Sequence, residues 1–457
     1  MEHVDVLIVG GGPAGLAAAA TLGHYGIAAL VAERRATPSP LPRATVISTR
    51  SMEILRSWQL EEEVRAGGVD GDVQIWECET LASAAGGRAY EVGYPSRAQA
   101  AVISPTAPRI VPQDWLETVL RHHVETLPSV RLELGTEALA LDNGPDGVSV
   151  RLRDQTGATR WVRSQFVIGA DGAHSAVRRL LGIERSETGG HPLAGLQVLF
   201  RSPLWRLLGD RRYVLYSVTT PPAPGAFFPA GPDDRWVYAP GIDRTNEDPD
   251  VLAAMIRAGA GADVDVRIER VGSFHSPGEI AARFRVARTF LAGDAAHRVT
   301  PRGGTGMNLA FTGGFDLGWK LAWVLKGWAE PDLLDSYEHE RRSVAEHNID
   351  RSTDPDGSRR AVVDELHADL GGRIAHAWVP SAGGRRSTLD LVGLGWTLFT
   401  DRAVTTPPTR APLTLRVLDH MTARAVGLRG GALLVRPDGV PAAFGPLGIP
   451  PAGDRER

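Results

Sequence analysis

The chain has 457 residues, a formal net charge of −4 and a single cysteine, Cys78. That length accommodates two or three domains with sizeable cores, and the charge gives no global field to attract nucleic acid or anionic lipid. One thiol excludes an internal disulfide, CxxC redox chemistry and a thiolate metal cluster; it fits a reducing cytoplasm, and no metal site is expected.

Residues 6–22 carry no charge. A secretory signal would place lysine or arginine before such a run, but Glu2 and Asp5 stand there. The run is shorter than the roughly 20 residues of a spanning helix and is interrupted at Gly10-Gly11-Gly12-Pro13, so no membrane span is expected. Instead, residues 4–9 form a β-branched run suited to a parallel strand buried on both faces. The alanine-rich stretch from Pro13 to about His24 reads as a helix, and residues 28–32 as a second strand ending at Glu33-Arg34. Within this βαβ unit, Gly10, Gly12 and Gly15 make G-x-G-x-x-G after a strand and at a helix start. That is the position where a pyrophosphate meets free N–H groups at the positive end of the helix dipole, with Pro13 and Ala14 in the same turn. Glu33 is placed to accept hydrogen bonds from a ribose. The unit predicts a dinucleotide without deciding between NAD and FAD. A proline-rich loop follows, then Arg43 and an amphipathic helix from about Thr49.

In "RSQFVIGADGAHSAVRRLLGI" a short buried strand at residues 166–168 leads to Asp171 between two glycines, with Ser175 early in a helix. In "RTFLAGDAAHRVTPRGGTGMN" another apolar strand stops at Gly293-Asp294, and Gly303, Gly304 and Gly306 precede a long helix. Asp294 offers acceptors suited to sugar hydroxyls, and the glycines leave several N–H groups open.

In this order and spacing the stretches resemble the class A flavoprotein monooxygenases, the family with the p-hydroxybenzoate hydroxylase fold. The matching residues are Gly10, Gly12 and Gly15, Pro42-Arg43-Ala44, "GADGAHSAVR" from Gly169, "GDAAH" from Gly293, "GGTGMN" from Gly303 and "YEHERR" from Tyr337. The resemblance is strongest to actinomycete-type hydroxylases of polyketides and other bulky aromatics. It implies FAD, with Asp294 on the ribityl chain, Gly303–Asn308 (Gly303, Gly304, Gly306, Met307, Asn308) and Pro301 bordering the isoalloxazine, Glu33 with Arg34 near the adenosine ribose and Arg43 near the pyrophosphate. Gln113, in "RIVPQDWLE", matches a flavin-contacting glutamine, with Arg109 from the same segment, and Asp171 belongs to a motif tied to FAD and NAD(P)H. NAD(P)H would be the co-substrate, and oxygen would reach an aromatic ring through a flavin C4a-hydroperoxide. The remaining partners expected are O2 and a small aromatic substrate, with a homodimer as an option. No catalytic base is assigned; His297 is read as organising its turn. Thr300 and Gly313 depart from the family pattern, which usually has proline and aspartate there. Baeyer–Villiger or ring-opening oxygenation on the same fold, and a non-catalytic flavoprotein holding an aromatic ligand, are the alternatives.

The implied fold class is α/β: an FAD-binding Rossmann-like βαβ domain from residues 1–72, 100–190 and 273–355, with an inserted mixed or antiparallel sheet for substrate from residues 73–99 and 191–272. A small thioredoxin-like αβ domain without cysteines follows at 380–457. Alternation in the middle region predicts antiparallel strands, with Phe200, Tyr216, Phe228 and Trp236 as candidate substrate contacts and "TTPPAPGAFFPAGPDD" as a rim loop. The tail "PPAGDRER" is expected to be disordered.

Overall fold

A computed structural model describes residues 2–39, 41–241, 248–381, 383–402, 404, 408–428 and 431–445; the tail discussed above lies outside them. Its largest sheet has eight strands. Four neighbours run parallel in the order Thr289–Leu291, Thr159–Gly169, Glu2–Val9 and Ala29–Glu33, with Val130–Leu134 parallel at the edge. Val6, Leu7 and Ile8 are wholly buried, as a strand covered on both faces requires. Helix α1, Pro13–His24, lies on the sheet and buries its alanine run; Pro13 occupies its first turn, where no N–H is missed. Helix α2, Thr49–Ser57, starts at a Ser48 cap whose hydroxyl accepts from the Ser51 N–H. Helix α3, Gly306–Leu325, packs on α1 so closely that a Cβ on Gly314 would stand 2.1 Å from the Ala14 carbonyl oxygen.

This sheet order places the sequence motifs. Gly10, Glu33, Gly169 and Ala292 each end or follow one of the four adjacent parallel strands, so all their turns emerge at one edge, where open α/β sheets bind ligands.

A second sheet has seven strands, Asp72–Cys78, Arg88–Glu91, Leu193–Arg201, Tyr213–Val218, Gly225–Pro229, Arg235–Pro240 and Arg267–Ser276. The stretch read as a rim loop contains one of them, Gly225–Pro229; its prolines mark the strand's edges rather than its absence. Helix Pro249–Ala260 covers one face, against Val198, Phe200, Tyr216, Phe227, Trp236 and Tyr238. The last described unit is a four-stranded sheet whose spatial order is second, first, third, fourth, with the first two strands parallel. That is the thioredoxin-like arrangement, and Arg436 to Val440 forms its closing hairpin turn. Among the described residues, no helix is long and apolar enough to cross a membrane.

Candidate flavin and substrate site

The three glycines of the first turn are glycine for three different reasons. Gly10 has φ +110°, and a Cβ there would lie 2.2 Å from the Ala170 carbonyl oxygen, so this position carries the turn and the contact with the second motif. A Cβ on Gly15 would lie 1.9 Å from the Gly10 carbonyl oxygen, which fixes helix against strand. A Cβ on Gly12 would meet nothing within 4 Å. Protein packing therefore does not explain Gly12; space left for a bound group does. Glu33 reaches back to this turn and accepts from the Gly11 N–H at 2.7 Å and the Arg35 N–H at 2.9 Å, while Arg34 beside it is exposed.

The third motif closes on the first. A Cβ on Gly293 would stand 3.1 Å from that of Ala14 and 3.2 Å from that of Ala310, so the turn is wedged between the starts of α1 and α3. Asp294 is half-buried, and its carboxylate accepts no hydrogen bond from any described residue. Burial pushes its pKa up, against the opposing charges of Arg298, Arg43 and Arg185. A carboxylate left so, beside an open glycine turn, is an acceptor waiting for a donor. Pro301 opens a 3-10 turn in which Gly303 has φ +77° and its N–H faces the Ser358 hydroxyl at 3.3 Å. Asn308, in the first turn of α3 next to buried Met307, accepts from the Ser48 N–H at 2.8 Å and donates to the Val46 carbonyl at 3.0 Å. It thus fixes the start of α3 against the start of α2.

Gln113 donates to Glu117 at 2.7 Å, and together with exposed Arg43 these residues line a small cleft. The cleft brings the Arg43 loop to the first turn of the helix Gln113–Glu125.

Two residues of the expected set point elsewhere. Arg109 turns toward Asp70, 3.5 Å away, and its nearest other charges are Arg65, Glu61 and Arg97; none belongs to the flavin motifs. Asp171 spends its carboxylate on its own helix, accepting from Ser175 and from the N–H groups of Ala176 and Val177 at 2.6 and 3.1 Å. His297 is buried, and burial followed by the Arg341 charge lowers its pKa to about 3, so it stays neutral. The unusual Thr300 donates its N–H to the Ser352 hydroxyl and its own hydroxyl to the Ser352 carbonyl. Gly313 has open space where a side chain would stand.

The seven-stranded sheet separates the aromatic candidates by face. Phe200, Tyr216 and Trp236 are wholly buried against helix Pro249–Ala260. They are packing residues, a correction that follows from strand alternation. Phe228 lies on the other face, with Leu199, Val237 and Leu41, two residues before Arg43; that face looks toward the flavin motifs. Paired residues share a face, so the row beside Phe228 is Ala239, Ala226, Ser217 and Glu77, with the Gln197–Gly272 pair at its end. All are half-exposed. Residues 354–361 close one end of this row: Arg359 pairs with Glu77 at 2.6 Å and lies over the Tyr90 ring, while Ser358 meets Gly303. This strap was not legible in the sequence, since nothing in its polar composition distinguishes it from an ordinary connection.

Comparison with known proteins agrees with this architecture. Residues 3–352 match the FAD binding domain family. Tetracenomycin A2 monooxygenase-dioxygenase of Streptomyces glaucescens is 31% identical, over 96% of this chain and 92% of its own. Aklavinone 12-hydroxylase of Streptomyces peucetius is 31% identical, over 87% and 91%. Of solved structures, aklavinone-11 hydroxylase in a ternary complex with FAD and aklavinone superposes with a TM-score of 0.85 at 28% identity, covering 98% of this chain and 96% of that one. The chain belongs to the FAD binding domain family and is a class A flavoprotein monooxygenase. It is an FAD-dependent enzyme of the aromatic hydroxylase type, with NAD(P)H as co-substrate.

Proposed function

We propose that the chain hydroxylates a polycyclic phenol of polyketide type, consuming NAD(P)H and O2. The observation that carries the substrate's size is the half-exposed row Ala239, Ala226, Ser217 and Gly272 on the flavin-facing side of the seven-stranded sheet. Small side chains across adjacent strands leave the depth of a fused-ring system above the sheet, and relatives acting on tetracenomycin A2 and aklavinone agree with that size.

FAD would lie along the sheet edge, its pyrophosphate at Gly12, Pro13 and Ala14, its adenosine ribose at Glu33 and its ribityl chain at Asp294. Arg43 and Gln113 would flank it from the cleft they share, and residues 301–308 would border the isoalloxazine. When bound, the flavin supplies the two-electron reduction by NAD(P)H and the activation of oxygen. The chain's own residues then align and enclose. Asp294 accepts from ribityl hydroxyls, and the start of α3 presents N–H groups at the positive end of its dipole. The Gln197 amide and the Ser217 hydroxyl orient phenolic oxygens. The Arg359–Glu77 pair and the Ser358–Gly303 contact hold the strap that limits water at the reacting ring.

Incubation with aklavinone, NADPH and 18O2 tests this reading. One 18O atom on a ring hydroxyl is expected; label in a lactone would mean Baeyer–Villiger oxygenation, and tight binding without NADPH consumption would mean sequestration. Either result would replace the proposal.

A further inference from the structure

The C-terminal unit has no cysteine and stands outside the flavin edge, yet its contacts are concentrated on the helices whose N-termini form that edge. Tyr25, the residue that ends α1, is buried and donates to the Leu394 carbonyl at 2.8 Å. Trp323, near the end of α3, donates its Nε1–H to the same carbonyl at 2.9 Å, and its ring meets Trp396 edge-on at 4.9 Å. One oxygen with two lone pairs thus joins the far ends of two helices. The body of α2 is held by paired guanidinium groups: Arg373, whose neighbour Ile374 packs in the C-terminal core and bonds to Gly439 of the hairpin, on Glu53 at 2.6 and 3.1 Å, and Arg56 on Asp390 at 3.1 Å through both Nε and Nη2. Arg50 of α2 donates to the Asp438 carbonyl at 2.6 Å. On α3, Lys320 is completely buried between Asp316 at 3.0 Å and Glu340 at 2.9 Å, and Glu340 is gripped by Arg436 of the closing hairpin at 2.7 and 3.0 Å. The three carboxylates Asp316, Glu340 and Asp438 that approach one another here are therefore bridged by the Lys320 and Arg436 cations.

At their other ends the same helices converge: Gly293 is wedged between Ala14 and Ala310, and Ser48 is bonded to Asn308. A 12-residue α1 spans about 18 Å and a 20-residue α3 about 30 Å, as continuous hydrogen-bonded rods. An angular error at the far end would appear as a displacement at the flavin end.

We propose that the C-terminal unit is a positioning element for the flavin site, with Tyr25 and Trp323 on the shared Leu394 carbonyl as the positioning residues that set the N-termini of α1 and α3 relative to one another. This rests on the assignment of FAD to those N-termini. An adhesive surface alone would not need two polar donors from separate helices on a single carbonyl; the Trp323–Trp396 contact would serve.

Tyr25→Phe and Trp323→Phe, singly and combined in the full chain, remove the donors and keep most of the apolar bulk. The double variant is expected to lose only a few degrees in Tm and to bind FAD about tenfold more weakly, with faster amide exchange at residues 12–16 and 304–309 of the apoprotein and unchanged exchange in the seven-stranded sheet. More hydrogen peroxide should be released per NADPH consumed. A lower Tm with wild-type FAD affinity and wild-type exchange at both loops would overturn the proposal. If the double variant does not fold, Tyr25→Phe alone carries the same two readouts in the same direction, and unchanged values for it would be equally fatal. Failure of the wild-type chain to bind FAD would instead overturn the site assignment, and apoprotein exchange would still decide whether the C-terminal unit orders the two loops.

Discussion

The sheet edge that carries the flavin motifs and the seven-stranded sheet beside it are the two surfaces on which the proposed function rests, and they are made of different material. At the edge the backbone would do the recognising. Residue choice there is forced by distances of about a bond length, such as the 1.9 Å a Cβ on Gly15 would leave to Gly10. On the seven-stranded sheet side chains would do the recognising, and the same strand carries a buried packing residue and a half-exposed residue in alternate positions. A site made by excluding side chains leaves a mark in the sequence; a site made by choosing a face does not.

The largest effects should separate the glycines. Gly15→Ala should yield insoluble or cofactor-free protein, because backbone cannot yield to the new methyl. Gly12→Ala should leave the apoprotein Tm within about 2 °C of wild type and weaken FAD binding, since only the bound group would meet it. Equal loss of folding in both would show that Gly12 is also a packing residue. Next in size, Phe200→Ala should cost about 3–5 kcal/mol in denaturant unfolding, as a wholly buried aromatic does. Ala239→Phe on the opposite face should leave stability nearly unchanged and, if the proposed function holds, lower kcat/KM for a polycyclic phenol about 10- to 100-fold by filling the space above the sheet. Reversed results would mean that the faces have been exchanged.

A smaller effect tests the far end of α1. His24 and His123 lie 3.0 Å apart, and burial, then the His123 charge, lowers the His24 pKa to about 4. The unfolded chain binds this proton near pH 6.5, so the stabilising contribution present above that pH is lost as pH falls toward 4. His24→Gln should flatten the slope of Tm against pH in that window and change nothing above pH 7; an unaltered slope would assign the acid sensitivity elsewhere.

The βαβ unit was legible because three signals coincide: a β-branched strand, glycines at fixed spacing and a terminal acid. Helix Pro13–His24 has the bounds that the proline and the alanine run imply. Asp171 shows the limit of such reading, since an acid between glycines has the same appearance whether it faces a ligand or caps its own helix. Trp236 and Phe200 misled for a related reason: aromatic residues dominate a core as readily as a pocket, and only the pairing register reveals that Ala239 and Ala226 lie on the face of Phe228, away from that core. The junction at Leu394 is a backbone carbonyl and leaves no side-chain signature at all.

Asp294 offers the most direct test, because its carboxylate accepts from no donor among the described residues. Titration of the apoprotein with FAD should show one flavin per wild-type chain, and Asp294→Ala should raise the dissociation constant by about 10- to 100-fold, the range of a hydrogen bond to a charged group, without lowering the apoprotein Tm. Wild-type affinity in that variant, or a wild-type chain that takes up no FAD, would contradict the placement of the cofactor along this edge.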